Sequence, residues 1–404
     1  MRTRALFALL FGFFTIISAG SICQAGAMPR DRRDVLDPQY TSESFRHMAE
    51  LFPTHTISRG GPISDLPSDP RPLAVSIEGD NGKLSLDDVL SKTRTSGFLV
   101  IKNGKVVMER YFNGADAKTH FTSWSVAKSF TSTLAGLALA EGKIKDVHTP
   151  ASDYIPQLKG SGYEGVSIKN ILEMSSGIDF VEDATPTHRS DVMYMWQHIL
   201  VDEDGRLNDY AASLKRAEPP GERFVYRSVD AQVLGWLVKN VTGKSPSDYL
   251  SERIWQPLGM ESDATWITDR PGTDGMEATY CCINATLRDF GRFGLMLAHR
   301  GMWNGKQIVP AAWIDQATTP QDHQVQFGQL IAGYPFGYGY QWWLPQDPPG
   351  SFAGEGVYFQ FLYVVPQEDL VIVKMSAAEK YWDAEQETET WDAYRAIAQA
   401  LHKN

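Results

Sequence analysis

Two pairs of strand-like runs, one near each end of the chain, constrain its fold more than any other feature. Gly97-Phe98-Leu99-Val100-Ile101 leads into the turn Lys102-Asn103-Gly104-Lys105 and then into Val106 to Phe112. An Asn-Gly between two β-branched or aromatic runs is a strong hairpin signal, because tight hairpin turns need residues that tolerate positive φ. Tyr358 to Val365 and Leu370 to Met375 form a second pair around Pro366-Gln-Glu-Asp369. Between these pairs the periodicity is helical. Ser125 to Glu141 is nearly apolar all round over about four turns, which predicts a buried helix stopped by Gly142. Ile168 to Met174, Tyr210 to Leu214, Ala231 to Val241 and Leu287 to His299 continue the helical pattern, and Trp391 to Leu401 ends it. Such an order predicts an α/β chain of α+β arrangement. One antiparallel sheet is built from both chain ends and flanked by helices, with a mostly helical lobe inserted at about residues 143–300.

Outside that body, Met1-Arg2-Thr3-Arg4 precedes an apolar stretch to about Ile22 and then the small residues Ala25-Gly26-Ala27. This is the order of a secretory signal, assigned to residues 1–27, and it places the mature chain in the periplasm or outside the cell. A transmembrane anchor and a lipid-modified Cys23 are the alternatives. Residues 28–85 read as a polar arm wrapping the body, and 86–404 as the main domain. No later segment is apolar enough to span a bilayer. The formal charge is −11, and removing Arg2 and Arg4 with the leader takes it to −13. With no basic cluster to reverse it locally, nucleic acid is excluded as a partner. Cys281 and Cys282 are adjacent and cannot staple distant segments, and the histidines form no HExxH or compact ligand cluster. No metal and no cofactor are expected. Oligomeric state is open.

The chemistry centres on Ser125-Val126-Ala127-Lys128. A three-residue offset at the start of a helix puts the serine hydroxyl and the lysine amine on nearly the same face. An amine whose pKa is depressed by burial and a further cation can take the serine proton and raise its nucleophilicity. Lys128 is a charge inside an otherwise apolar or small-residue helix, Val126 to Leu139, which is costly without a task or a partner. The competing reading is that it snorkels or pairs with a carboxylate. Tyr226-Arg227-Ser228, approached through Pro219-Pro220-Gly221, offers two more polar groups that face one cleft if the backbone is extended. Tyr226 as a phenolate favoured by Lys128 could relay a proton to a leaving group, and Ser228 could orient the ammonium. The alternative for Tyr226 is a core aromatic.

With Phe121-Thr-Ser-Trp124 before it and Ser129-Phe-Thr after it, this motif resembles the serine β-lactamase and penicillin-recognising superfamily, in particular its class C-like and esterase-like branch. Pro220-Gly221-Glu222-x-Phe224-x-Tyr226-x-Ser228, Leu172-Glu-Met174-Ser-Ser176-Gly177 and Thr286-Leu-Arg-Asp289-Phe-Gly-Arg-Phe-Gly294 resemble its other recurring segments. The resemblance spans about Phe98 to Met375 and implies a β-lactamase/transpeptidase-like fold. Its third motif aligns with Gly354-Glu355-Gly356-Val357. On that alignment the N–H groups of Ser125 and Val357, with Gly356 in support, hold the oxyanion. The usual Lys-Thr-Gly is missing, and with it the cation that would greet a β-lactam carboxylate. Among relatives with this departure, the chain is most similar to the group of 6-aminohexanoate-dimer hydrolases and carboxylesterases. That implies a small ester or amide substrate cleaved through an acyl-enzyme on Ser125, with Lys128 and Tyr226 exchanging protons. A β-lactamase or penicillin-sensitive peptidase, and an inactive envelope-binding module, are the competing functions.

Glu182, Asp183 and Asp191 follow the Ser176-Gly177 break, where a loop could rim the cleft and read a substrate amine; the alternative is solvated loop acids. Tyr280, Cys281 and Cys282 are candidates for a cavity wall or for apolar packing. Trp342, Trp343 and Phe352 are candidates for an aromatic pocket or for core.

Overall fold

A computed structural model describes residues 27–79, 82–183, 188–331 and 334–402. The expected leader, apart from Ala27, lies outside the described residues. The central sheet has seven antiparallel strands in the order Gly337–Tyr338, Trp343–Leu344, Phe352–Gly356, Gln360–Val365, Leu370–Ser376, Thr95–Lys102 and Lys105–Tyr111. Both chain ends therefore meet in its middle, where Leu370–Ser376 pairs with Thr95–Lys102 and Ile372 lies opposite Val100.

The central strands are buried on both faces, which is why they read as continuous apolar runs. On one face Leu99, Ile101, Leu362, Val364, Val371 and Val373 pack with Phe290, Phe293 and Phe130. On the other, Phe98, Val100, Phe361, Tyr363 and Ile372 pack with Trp391, Tyr394 and Ile397. The Leu287–Ala298 helix lies on the first face and starts at Thr286, whose side chain accepts from the Asp289 N–H. Its glycines let it come close: a Cβ on Gly291 would stand 2.7 Å from Leu99, and one on Gly294 2.7 Å from Val371. The closing helix runs Ala384–His402, longer at its N-terminal end than the Trp391 to Leu401 pattern predicts. Acidic residues in its first turn suit the helix dipole without carrying an apolar signal.

Inserted between the two halves of the sheet is a largely helical region that includes Ser228–Thr242. It is not wholly helical. Thr54–Ile57, Ala264–Ile267, Ile283–Ala285 and Phe121–Thr122 form a second, four-stranded antiparallel sheet that the sequence did not announce, because its strands are two to four residues long. Thr54–Ile57 belongs to the arm, which thus ties into the body, and the His55 imidazole reaches Glu277 at 2.9 Å. Among the described residues no helix is long and apolar enough to cross a membrane.

Candidate active site

Ser125 sits at the N-terminus of the Val126–Ala140 helix, and the next turn brings Lys128 back beside it. The Lys128 amine donates to Ser125 Oγ at 2.8 Å and to the Tyr280 carbonyl at 2.9 Å. Lys128 is almost fully buried, and desolvation pulls its pKa down to about 8 against the opposing charge of Glu182. No second cation is needed, contrary to the expectation from sequence; burial is the main cause.

Trp124, just before the nucleophile, holds a left-handed backbone with φ of 42°. A non-glycine residue there costs on the order of 1 kcal/mol and must be held by its surroundings. The surroundings are aromatic: Phe45 of the arm, Trp196 and Tyr358 stand 5.1, 5.2 and 5.6 Å from its ring. The carbonyl of Trp124 accepts from the N–H groups of Ala127 and Cys282.

Tyr226 is positioned by the Met174 to Gly177 turn, where Val225 donates to the Met174 carbonyl and Gly221 to that of Ser175. A Cβ on Gly177 would stand 2.1 Å from the Glu218 carbonyl, so only glycine fits this crossing. Lys128 Nζ lies 4.9 Å from the centre of the Tyr226 ring, and Trp343 stacks on it at 5.6 Å. Burial, reinforced by the charge of Glu182, pushes this phenol well above its ordinary range. Tyr226 therefore keeps its proton in the free site, and the expected phenolate is corrected to a phenol.

Ser228 is also corrected. It opens the Ser228–Thr242 helix, and its hydroxyl and N–H both donate to the Glu182 carboxylate, at 2.6 and 2.7 Å, rather than facing the ammonium. Glu182 lines the cavity; burial raises its pKa, while Lys128 and Ser228 oppose that rise. Asp191 does not line the cavity. It accepts from the Val181 N–H and the Tyr210 hydroxyl and pairs with Arg189, which anchors the loop carrying Glu182. Asp183 is likewise outside the cavity lining.

Phe352–Gly356 is the strand that passes the nucleophile. A Cβ on Gly356 would stand 3.0 Å from the Ser125 nitrogen and 2.8 Å from the Ser123 carbonyl, so the close approach requires glycine. Val357 follows and lines the cavity. Tyr358 and Phe359, expected to begin a strand, form the turn instead, with left-handed φ of 60° and 69°. Two bulky residues in that conformation carry none of the Asn-Gly signature by which such turns are recognised. Tyr358 is held by its N–H to the Tyr381 carbonyl and by its ring against Phe45 and Trp124.

Ser125, Tyr226, Glu182, Ser228, Cys281, Trp343, Gly356 and Val357 all border one cavity of 860 Å³. Trp342 and Phe352 are core, packed edge to face. Leu36 from the arm, Trp196, Tyr334, Trp382 and Glu387, which the sequence did not single out, converge on the cavity from four separate stretches, and Glu355 of the third motif joins them. Cys281 and Cys282 are joined by a disulfide, which adjacency permits but does not announce. The arrangement brings a hydroxyl, a buried amine and a phenol together at one cavity, with Gly356 and Val357 beside the hydroxyl-bearing residue.

A family model described as beta-lactamase matches residues 86–395. The 6-aminohexanoate-dimer hydrolase of Paenarthrobacter ureafaciens is 29% identical over 365 residues, covering 88% of this chain and 91% of the relative. A solved structure from Bacillus anthracis bearing that same hydrolase name superposes with a TM-score of 0.83 at 29% identity, covering 91% of this chain and 96% of the other. A family VIII carboxylesterase, with a TM-score of 0.57 at 18% identity and coverage of 75% and 92%, shares the fold. Together with the serine and lysine on one helix turn, these matches show that the chain belongs to the beta-lactamase family and is a serine hydrolase.

Proposed function

We propose that the protein cleaves a small ester or amide through an acyl-enzyme on Ser125. The observation that carries this reading is the buried Lys128 amine, 2.8 Å from Ser125 Oγ and with its pKa pulled down to about 8. Near neutrality a usable fraction of the amine is unprotonated and accepts the hydroxyl proton as Oγ attacks the substrate carbonyl. The developing oxyanion is received by the N–H groups of Ser125 and Val357, a contribution of about 3–4 kcal/mol for donors of this kind. Tyr226, carrying its own proton, donates it to the leaving alcohol or amine and recovers one from the Lys128 ammonium. Water then attacks the acyl-enzyme by the same route in reverse.

Charge around the cavity bears on the substrate. Its lining includes Glu182 and Glu387, together with Glu355, whose carboxyl burial pushes well above the usual range towards its neutral form, and no lysine or arginine among the described lining residues. An anionic substrate such as a β-lactam is disfavoured there, and a neutral or amine-bearing ester or amide is favoured. Export, which rests on the leader pattern alone, is part of the same proposal; the intact mass of the mature protein tests it.

The experiment is the initial rate of p-nitrophenyl butyrate hydrolysis by the purified protein and by S125A prepared in the same way. The expected rate belongs to the wild type alone, accompanied by labelling of Ser125 by a fluorophosphonate. Equal background rates and no labelling in two folded proteins would overturn the assignment and favour a binding module.

A further inference from the structure

A disulfide between neighbouring residues closes a small ring and shortens no long loop of the unfolded chain, so it contributes little as a staple of the fold. Its place in the molecule is therefore the informative feature. Cys281–Cys282 is bonded side chain to side chain with Cα atoms 3.7 Å apart, in a turn where Cys282 has a left-handed φ of 73°. On one side of the ring is Tyr280, whose carbonyl accepts from Lys128 Nζ at 2.9 Å. On the other, the Cys282 N–H donates at 3.3 Å to the carbonyl of Trp124, the residue before Ser125. The ring is fixed to the body as well. The Cys281 carbonyl accepts from Trp266 Nε1 at 2.7 Å, and the Cys282 carbonyl from the Ile267 N–H.

We infer that the Cys281–Cys282 disulfide is a positioning device for the Ser125 and Lys128 pair, and that opening it lowers the rate of acylation. The inference rests on the proposed roles of these two residues. With the turn locked, the Tyr280 carbonyl takes one amine hydrogen of Lys128 and aims the lone pair at Ser125 Oγ. With the ring open, the backbone from 280 to 282 gains conformations in which the acceptor and the Trp124 contact move. A displacement of the order of 1 Å at such a pair costs up to about 10²-fold in rate. Reduction by a small dithiol moves two electrons and two protons to the protein. One reductant sulfur attacks a cysteine Sγ and breaks the S–S bond, and closure of the reductant's own disulfide releases the second thiol. Cys281 borders the cavity, which gives the reductant its approach.

The test compares three forms of the full chain: oxidised wild type, wild type treated with dithiothreitol and checked for two free thiols by alkylation and mass, and C281S/C282S. Three quantities are read: kcat, KM for p-nitrophenyl butyrate, and the rate at which a small fluorophosphonate labels Ser125. The expected result is that kcat and the labelling rate fall together by about tenfold in the variant, with KM within twofold, and that the reduced wild type, once it shows two free thiols, behaves the same and recovers on reoxidation. Unchanged kcat and labelling in the variant would overturn the inference, as would a rise in KM alone, which would make the disulfide only a piece of wall. Loss of the near-ultraviolet dichroism in the variant and the reduced protein would overturn it too, making the disulfide a fold staple. If the oxidised wild type neither turns over nor labels, the proposed function fails instead, and the two failures are distinct.

Discussion

Lys128 and Lys374 are the two most deeply buried lysines among the described residues, and their surroundings differ. Lys128 and Lys374 are 1% and 0% exposed, and desolvation pulls both amines below their ordinary pKa. Lys128 has Ser125 Oγ and the Tyr280 carbonyl within 2.9 Å, the Tyr226 ring beside it and the charge of Glu182 acting on it. Lys374 has the Phe359 carbonyl at 3.4 Å and the rings of Phe359 and Phe361. It lies in a row across the sheet with Phe361 and Glu355 on one side and Phe98 on the other, and no carboxylate acts on it. Burial alone therefore does not mark a catalytic amine. What distinguishes Lys128 is a reacting group at hydrogen-bond distance and a second acceptor that fixes the direction of the lone pair.

Substituting each lysine by methionine keeps the stem and removes the amine, and the two outcomes should differ in kind. K128M is expected to lose about 10²–10⁴-fold in kcat with its fold intact by circular dichroism. A K128M enzyme with undiminished turnover would erase the distinction. The next effect is in the pH profile. Under the proposed mechanism Lys128 acts unprotonated, and kcat/KM should then fall about tenfold per pH unit below a midpoint near 8 and level off above it. A flat profile from pH 6 to 9 would contradict the depressed amine.

K374M is expected to leave kcat within twofold and to stabilise the protein by about 1–3 kcal/mol in chemical denaturation at neutral pH, because a buried amine on which no carboxylate acts is replaced by an apolar side chain. The sign with pH follows from the lowered pKa. Above its folded pKa the native protein has shed a proton that the unfolded chain keeps up to about 10.5, so wild-type stability rises with pH over that window. The advantage of K374M should accordingly shrink between pH 7 and 10. Equal stabilities at pH 7 would mean that the Phe359 carbonyl and the two rings offset the burial of the Lys374 amine. The smallest effect concerns Glu182, whose charge favours the Lys128 ammonium. E182Q should move the midpoint of the activity profile to lower pH by a fraction of a unit, and an upward movement would reverse the assigned sign.

The chain's own order of residues determined the sheet's hairpins, the buried helix and the Ser125 and Lys128 pair. Each is encoded over short distances: an Asn-Gly turn at Asn103-Gly104, a run of apolar and small residues from Val126 to Ala138 broken by one charge, and a three-residue offset that helical geometry turns into a contact. Tyr226 was legible as a site residue only beside the Ser125 and Lys128 pair, and Gly356 only through the resemblance to the family's third motif. Tertiary structure alone decided what surrounds them. Leu36, Trp196, Tyr334 and Trp382 reach the cavity from remote segments, and no local pattern connects them. It was folding that turned Ser228 towards Glu182 and left Tyr226 a phenol, since desolvation depends on every neighbour of a group rather than on its sequence context. The turn at Tyr358 and Phe359 and the ring at Cys281–Cys282 belong with these. Their backbones run against local preference and are held by packing from outside the segment, so the physics that fixes them is not written in the residues themselves.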